Sequence, residues 1–456
     1  MVKQKMFSKQ FIQSVFPKAN VSVKGFQRIW TDSRSVRSGD LFVAIPGEKF
    51  DGHGFIAQAA KLGATGALIS NADFPGRSEL PKKFTLIQAK NTTEALRKLA
   101  KAYRKKLKIP IIAVAGSNGK TTTKEWIWFL LSQIHTPDSI FKTEKSQNSI
   151  LGIALSLLQI RNEKMAVIEI GIDEPNWMDQ HLEVVAPTHG IITTIAEEHL
   201  NRLKNIETVA KEELKLLKFM IKKKGSFAAN QDSSWIKNHK LPLKHLTYAL
   251  DEQAEIEGFF ESPQTLSAFG ARWSNPLPGK HNAQNLLAAL TIVRLIHPEL
   301  TREDLFRLSE STQNFQGEAH RSRWIKIKND VQVFDDCYNA NPDSMERALQ
   351  SFIEISRGCR QHAVIGDMLD LGDASENAHQ KILNQVIVLG MDNIYLFGPK
   401  LKAALNKATN LPKNIRHFET IDEVAAALHS NLKFGDAVFL KGSRGMALER
   451  ILEKIK

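Results

Sequence analysis

Residues 116–121 read Gly-Ser-Asn-Gly-Lys-Thr. Two glycines let the backbone turn sharply enough to point N–H groups at an anion. A lysine can then reach β- and γ-phosphate oxygens, and a hydroxyl can ligate Mg²⁺. The common spacing, G-x-x-x-x-G-K-[ST], would put a glycine at position 114, where Val114 stands, so this is a shortened phosphate loop. Gly116, Ser117, Asn118, Gly119, Lys120, Thr121 and Thr122 are the candidate phosphate contacts. Two metal candidates follow. Glu169 ends the run MAVIEIG, and His199 lies just past HGIITTI. Ligands of open parallel sheets collect at strand C-terminal ends. Thr121, Glu169 and His199 each follow a strand of one expected sheet and can meet at one edge. Mg²⁺ prefers oxygen, so a histidine ligand implies a second, less typical ion site. Taken singly, Glu169 reads equally as an ordinary strand-end carboxylate, and a lone histidine is more often structural or exposed.

The elements that would position these groups are legible. IPIIAVAG is short and continuously apolar, as a buried parallel strand requires. Beyond Thr121, Ile127, Leu130, Leu131 and Ile134 recur at helical spacing. The loop therefore lies between a strand and a helix N-terminus, where the helix dipole favours phosphate. Strand-like and helix-like stretches alternate along the whole chain, which predicts an α/β fold. They fall into three blocks, 1–108, 109–314 and 315–456, with RKKLKIP as the linker before the loop. In the third block each strand is followed by a turn and a helix, as in an open doubly wound sheet.

Composition sets the outer limits. The chain has 456 residues, 42% apolar and 24% charged, which predicts a globular protein of about three domains. Cys337 and Cys359 form no metal-ligand spacing and no disulfide framework, which suits a reducing, cytoplasmic setting. No run approaches a membrane span, so no stable membrane insertion is expected. The opening MVKQKMFSKQF has neither a long apolar region nor a small-residue cleavage site, so no signal peptide is expected. The net charge of +13 would serve a nucleic-acid-dependent ATPase. However, the lysines are scattered, and the densest run, KKKG at 222–225, fits a solvated helix end. No nucleic-acid partner is expected. The charge would equally suit polyanionic small molecules.

Taken together, these motifs resemble the Mur ligase family of ATP-dependent amide-forming enzymes. The loop G-S-N-G-K-T-T is that family's short version. TDSRSVRSGDLFVAIPGEKFDGHGF (31–55) resembles its UDP-sugar-binding block, and PGKHNAQNLLAAL (278–290) its H-N-x-x-N motif on the adenine side. DDCYNANPDSMERAL (335–349), IGDMLDLG (365–372) and LKGSRGMALERI (440–451) resemble the C-terminal signature of one member, the ligase that adds a dipeptide. The D-N-P-R motif of the amino-acid-adding neighbour is missing from this sequence. The resemblance implies a UDP-substrate-binding α/β domain, a central P-loop domain with a parallel sheet, and a Rossmann-like C-terminal domain. It also implies that ATP and Mg²⁺ support the joining of D-alanyl-D-alanine to UDP-N-acetylmuramoyl-tripeptide in peptidoglycan precursor synthesis, by a cytoplasmic monomer. Another Mur-type ligase, or a folylpolyglutamate synthase-like enzyme, is the nearest alternative.

By the same resemblance Asn282, with His281 and Asn285, would contact ATP. Arg321 would reach its terminal phosphate, with Arg323 the runner-up, and Asp336 would hold the ribose side. Lys120, Glu169, His199, Arg321 and Asp336 make up the catalytic set. Ser33, Arg34 and Asp51 would lie near the uridine diphosphate. Asn148, Tyr338, Asn339, Lys441 and Ser443 would face substrate, and Arg444 stands beside Ser443. Plain structural readings stand beside several of these: Asp-Ser and Asp-Gly are ordinary turn chemistry, and Asn341 before Pro342 is a plausible N-cap. Two stretches depart from the family pattern. The substrate loop TEKSQNSILG carries Ser146 and Ser149 at two asparagine positions, and the stretch after Glu169 reads IDEPNWM, with Asp173 and Asn176. A third departure is chemical. Where relatives carry a carbamylated lysine that helps hold a second Mg²⁺, the ungapped register gives Glu213. A slip of two residues would give Lys211 instead, with Lys215 on the other side. The expected metal ligands are therefore Thr121, Glu169, His199 and Glu213, or a carbamylated Lys211.

Overall fold

A computed structural model of the protein describes residues 6–47, 50–409 and 411–456. Residues 1–5 of the N-terminal stretch, and Glu48 and Lys49 of the 31–55 motif, lie outside the described residues. The chain divides into two compact units. One is built from Met1–Ile111, Phe141–Ile168 and Asp179–Pro187, the other from Ile112–Ile140, Glu169–Met178 and Thr188–Lys456.

In the first unit four parallel strands run in the order Ile29–Trp30, Leu41–Val43, Gly66–Ile69, Thr85–Gln88. Phe42, Ala67 and Ile69 face Ile56, Ala59 and Phe74 to make one side of its core. The helix Thr92–Lys106 starts where the Asn91 side chain accepts the Glu94 N–H at 2.9 Å. Ala95, Leu96, Leu99, Ala100 and Tyr103 recur every three or four residues and are buried. The expected linker RKKLKIP begins inside this helix, because Arg104, Lys105 and Lys106 form its last turn. Arg104 is buried there, with Nε donating to the Val185 carbonyl at 2.7 Å and Nη2 to that of Ala186 at 2.9 Å. A lysine- and arginine-rich stretch looks like a spacer in the sequence, but cations at a helix C-terminus complement its dipole and exposed carbonyls.

In the second unit five parallel strands follow the order Ile256–Glu257, Lys244–Ala249, Ser226–Asn230, His189–Ile192, Ile111–Ala115. The last of these is wholly buried, as its apolar run predicts. The helix Lys120–Ile134 follows it and packs along the helix Lys280–Ile296. An antiparallel three-stranded ribbon, Phe259–Ser262, Thr265–Ala268 and Ala271–Ser274, interrupts the α/β alternation. Its second turn has positive φ at both Phe269 and Gly270, the twist that tight hairpins favour.

The C-terminal sheet has six strands in the order Arg323–Lys326, Gln332–Asp335, Ala437–Lys441, Gln361–Gly366, Asn393–Phe397, Ile415–Phe418. Only the first pairing is antiparallel. Apolar clusters cover both faces, one around Phe334, Phe352 and Phe439, the other around Val364, Tyr395 and Val438. That two-sided burial is why its strands read as continuous apolar runs. Asn341 caps the helix Pro342–Ile355 with a reciprocal Ser344 bond, as its N-P-D-S sequence predicts. Near the start of the third block Phe315 stacks on Trp126 of the Lys120–Ile134 helix, with ring centroids 3.5 Å apart. No helix among the described residues is long and apolar enough to cross a membrane.

Candidate active site

The phosphate loop is shaped by close backbone approach. Gly116 and Gly119 have φ of 119° and 81°. A Cβ on Gly116 would lie 2.4 Å from Thr193 Oγ1, and one on Gly119 would lie 2.2 Å from Asn285 Oδ1. Neither position admits a side chain. The Ser117 N–H donates to the Thr194 carbonyl at 2.7 Å, and the Asn118 N–H to Thr194 Oγ1 at 3.1 Å. The strand end at 192–194 thus holds the loop open toward the helix that begins at Lys120, with Thr121 and Thr122 buried in its first turn.

Lys120 Nζ donates to the Gly116 carbonyl at 2.5 Å and to that of Ser117 at 3.0 Å, and lies 3.5 Å from Glu198 Oε2. Burial disfavours its charge, yet the carboxylates of Glu198, Glu213 and Glu169 more than offset this and hold Lys120 above its ordinary pKa. Glu169 is placed by the Ile170 N–H, which donates to the Val114 carbonyl at 2.9 Å and so brings it to the end of the loop strand. Lys124, fully buried, lies 3.6 Å from Glu169 and 3.2 Å from Glu125. His199 has a left-handed backbone, φ 50°, and its Nε2 sits 3.3 Å from Asp173 Oδ1. Glu213 projects from the helix Ile206–Lys223 and is wholly buried, with neither carboxylate oxygen hydrogen-bonded. Burial pushes it up to about 8, against the pull of Lys120. Lys211, two residues earlier on the same helix, is exposed. Among the described residues, three ligand atoms of His, Cys, Asp or Glu close up tightly only at His320, Asp335 and Cys337. There the bonds are internal, His320 Nδ1 to Asp335 Oδ2 at 2.9 Å and the Cys337 thiol to Asp335 Oδ1 at 3.0 Å.

Two residues of the C-terminal block, Asn341 and Asp343, reach the loop tip. Asn118 Nδ2 donates to Asp343 Oδ2 at 2.9 Å, and Asn341 Nδ2 donates to Asn118 Oδ1 at 3.0 Å. Arg321 lies over the Tyr338 ring at 3.9 Å, and is near enough to Lys120 to oppose its charge. Asp336 accepts the Ser322 N–H at 2.9 Å and pairs with Lys441 Nζ at 2.5 Å; Lys441 also donates to the Asn339 carbonyl. Ser443 Oγ takes the Leu369 N–H at 2.8 Å. Lys441 and Ser443 therefore have internal partners. The aspartate of G-D-M, Asp367, accepts the Lys400 and Leu401 N–H groups at 2.9 Å each and caps the next helix. Asn282 and Asn285 bond to each other at 3.2 Å beneath the loop. Beside them, half-buried His281 is pushed down to about 4 by desolvation, so its ring is neutral near pH 7. It borders a cavity of about 360 Å³ shared with Thr194, Asn230, Asp232, Lys280 and Arg347.

The first unit carries the other candidates. Asp32 caps the turn Ser33–Ser35, burying Ser33 and pairing with exposed Arg34. Asp51 caps Gly52–Phe55 and bonds His53 Nδ1 at 2.6 Å. Asn148 is half-buried just before the helix Ile150–Leu157.

Three sequence models match the chain in order. The Mur ligase family catalytic domain covers residues 26–104, the Mur ligase middle domain 114–293, and the Mur ligase glutamate ligase domain 320–444. A UDP-N-acetylmuramoyl-tripeptide–D-alanyl-D-alanine ligase from Synechocystis is 30% identical over 94% of this chain and 91% of its own length. The chain belongs to the Mur ligase family. As a Mur ligase it is an ATP-dependent ligase. The ligase of the same name from Bacillus subtilis is 29% identical over 93% of this chain and 92% of its own. Two solved structures share the fold: MurF from Acinetobacter baumannii, 24% identical with a TM-score of 0.83 over 98% of each chain, and MurF from Thermotoga maritima, crystallised with ADP, 24% identical with a TM-score of 0.78 over 94% of this chain and 96% of that one.

Against the Mur ligase pattern, the substrate-loop departure at Ser149 has a local cause. Its Oγ accepts the Gly152 N–H at 3.3 Å as the cap of the following helix. Glu198, Lys124 and Asp173 were not singled out as site residues by type and spacing. Glu198 is adjacent to His199 and reads like its exposed neighbour Glu197. Lys124 reads like any lysine on a helix, and only the packing of the helix against the strand ends makes it a buried cation.

Proposed function

We propose that this Mur ligase joins D-alanyl-D-alanine to UDP-N-acetylmuramoyl-tripeptide, with ATP converted to ADP and phosphate, in peptidoglycan precursor synthesis. The observation that carries the reading is the near-full-length similarity to ligases of that name, joined to a phosphate loop whose lysine faces three buried carboxylates. A carboxylate is a poor electrophile. One tripeptide carboxylate oxygen would attack the γ-phosphorus, ADP would leave, and the resulting acyl phosphate would meet the dipeptide amine. The amine nitrogen bonds to the carbonyl carbon, phosphate departs, and the nitrogen loses a proton. Little covalent work falls to the protein, so its part is positioning and charge neutralisation.

In this reading the loop N–H groups from Gly116 to Thr122 cradle the phosphates, and Lys120 turns from its own loop carbonyls to the γ-phosphate. Arg321 approaches the same group from the third block, Asp336 takes the ribose side, and the base enters the cavity beside His281, Asn282 and Asn285. Ser33, Arg34, Asp51 and Asn148 serve the UDP substrate, and Tyr338, Asn339, Lys441 and Ser443 the acceptor end. The buried carboxylate of Glu213 suits a hard cation, and Thr121, Glu169, His199 and Glu213 are assigned to Mg²⁺. When bound, it would neutralise phosphate charge. Glu213 is favoured over a carbamylated Lys211 because Glu213 is buried beside Lys120 while Lys211 is exposed. The domains are taken as 1–108, 109–314 and 315–456, in line with the spans of the three family matches. The protein is taken as a cytoplasmic monomer without a nucleic-acid partner. The test is product mass: wild-type protein with ATP and both substrates should yield the pentapeptide, and Lys120→Ala should yield none.

A further inference from the structure

The helices Lys120–Ile134 and Lys280–Ile296 pack along each other, and a histidine closes each of them. The His135 N–H donates to the Leu131 carbonyl, and the His297 N–H to that of Val293, both at 2.8 Å. The two rings meet with Nε2 of one 3.0 Å from Nε2 of the other. Behind this pair, His297 Nδ1 lies 2.8 Å from Glu299 Oε1. A carboxylate only accepts, so in the neutral ring the proton sits on Nδ1 and the Nε2 lone pair points at His135.

The spacing can be compared with metal chemistry. Two imidazole nitrogens bound to one ion at about 2.0–2.1 Å stand about 2.9 Å apart at a square-planar angle and about 3.3 Å apart at a tetrahedral one. The observed 3.0 Å lies between these values. The pair can therefore exchange its mutual hydrogen bond for an ion with little ring movement, His135 keeping its proton on Nδ1. A carboxylate behind a ligating imidazole orients the ring and raises its basicity. Both rings also sit at helix C-termini, whose partial negative charge favours a cation. They are half-buried, which leaves room for water at the remaining coordination positions.

We propose that His135 and His297 chelate a divalent transition-metal ion of the Zn²⁺ or Cu²⁺ kind, with Glu299 as the positioning residue behind His297. The site lies about 20 Å along the helix from Lys120, remote from the phosphate loop. The ion staples the ends of two packed helices and so stabilises the folded chain over the unfolded one. Neither the binding nor the staple depends on the ligase reading.

The experiment titrates Zn²⁺ into the tag-free full chain, in competition with a chromophoric indicator and with millimolar Mg²⁺ present, and follows the melting temperature in parallel. Wild-type protein should hold one more equivalent of Zn²⁺ than H135Q or H297Q. Zn²⁺ should raise the wild-type melting temperature by several degrees, and both variants should lose that rise. E299Q should keep the equivalent but bind it roughly tenfold more weakly. If one histidine variant does not fold, the other carries the comparison. The same number of equivalents in wild type and in a folded histidine variant overturns the proposal.

Discussion

Asn118 at the tip of the phosphate loop and Asn341 at the start of the helix Pro342–Ile355 face each other through their amides, with Asn341 Nδ2 donating to Asn118 Oδ1 at 3.0 Å and Asn118 Nδ2 3.4 Å from Asn341 Oδ1. Asn341 also caps its own helix by accepting the Ser344 N–H at 2.8 Å. One side chain therefore ties the loop to the third block and caps the start of the helix. Asn341→Ala should lose the cap, about 1 kcal/mol of stability, as well as the loop contact. Asn118→Ala should leave the cap in place and lose the contact with Asn341 together with the bond to Asp343. A double-mutant cycle on kcat/KM for ATP should show the two changes to be non-additive. Additive losses would mean that the pair does not act as a unit.

Gly119→Ala is expected to cripple nucleotide use. The new methyl would lie 2.2 Å from Asn285 Oδ1, at a φ of 81° that L-residues rarely adopt. We expect about 1–3 kcal/mol of destabilisation from the backbone and the clash together. Asn285→Ala in the same chain should recover the clash but not the backbone strain. Melting curves of the single and double variants check this. Full recovery in the double variant would show that the left-handed backbone carries no cost.

The metal-site assignment makes a prediction about carbon dioxide. If Glu213 supplies its own carboxylate, activity in CO₂-depleted buffer should match that in bicarbonate, and Lys211→Ala should be close to wild type. A strong loss on depletion that bicarbonate restores would instead place a carbamate at the site and defeat the Glu213 reading.

The strand–turn–helix setting of the phosphate loop is legible in the sequence. The phosphate loop announces itself because a continuous apolar run, two glycines and a helical repeat fall in sequence, and each has one cheap conformation. Asn341-Pro342 is legible for the same reason. What was hidden depends on contacts distant in sequence. Glu198 gains meaning only because Lys120 is folded against it, and Lys124 only because Glu169 ends a neighbouring strand. The hairpin ribbon at Phe259–Ser274 was missed because its second tight turn uses Phe269-Gly270, with no Asn-Gly or Asp-Gly signal. Asp367, within the IGDMLDLG stretch, has the N–H groups of a helix start as its partners.

Acid should destabilise the fold through half-buried histidines. Burial, helped by Lys244, lowers His189 to about 4, and burial lowers His281 to about 4 as well. Both are neutral in the folded chain, whereas the unfolded chain takes up protons below about 6.5. Their contribution is thus fully present above about 6.5 and is lost as pH falls toward 4. His189→Gln should flatten that part of the profile by about 1–2 kcal/mol. The check is denaturant unfolding at several pH values between 7 and 4; an unchanged slope would mean that His189 already titrates normally in the fold.

The central claim is that the loop's γ-phosphate is transferred to a tripeptide carboxylate and then displaced by a dipeptide amine. The most direct measurement is phosphate release from ATP in the presence of UDP-N-acetylmuramoyl-tripeptide, with and without D-alanyl-D-alanine. The account predicts sustained release only when both are present, in step with pentapeptide formation. Release that ignores both substrates, or no release with both at saturating concentration, would contradict it.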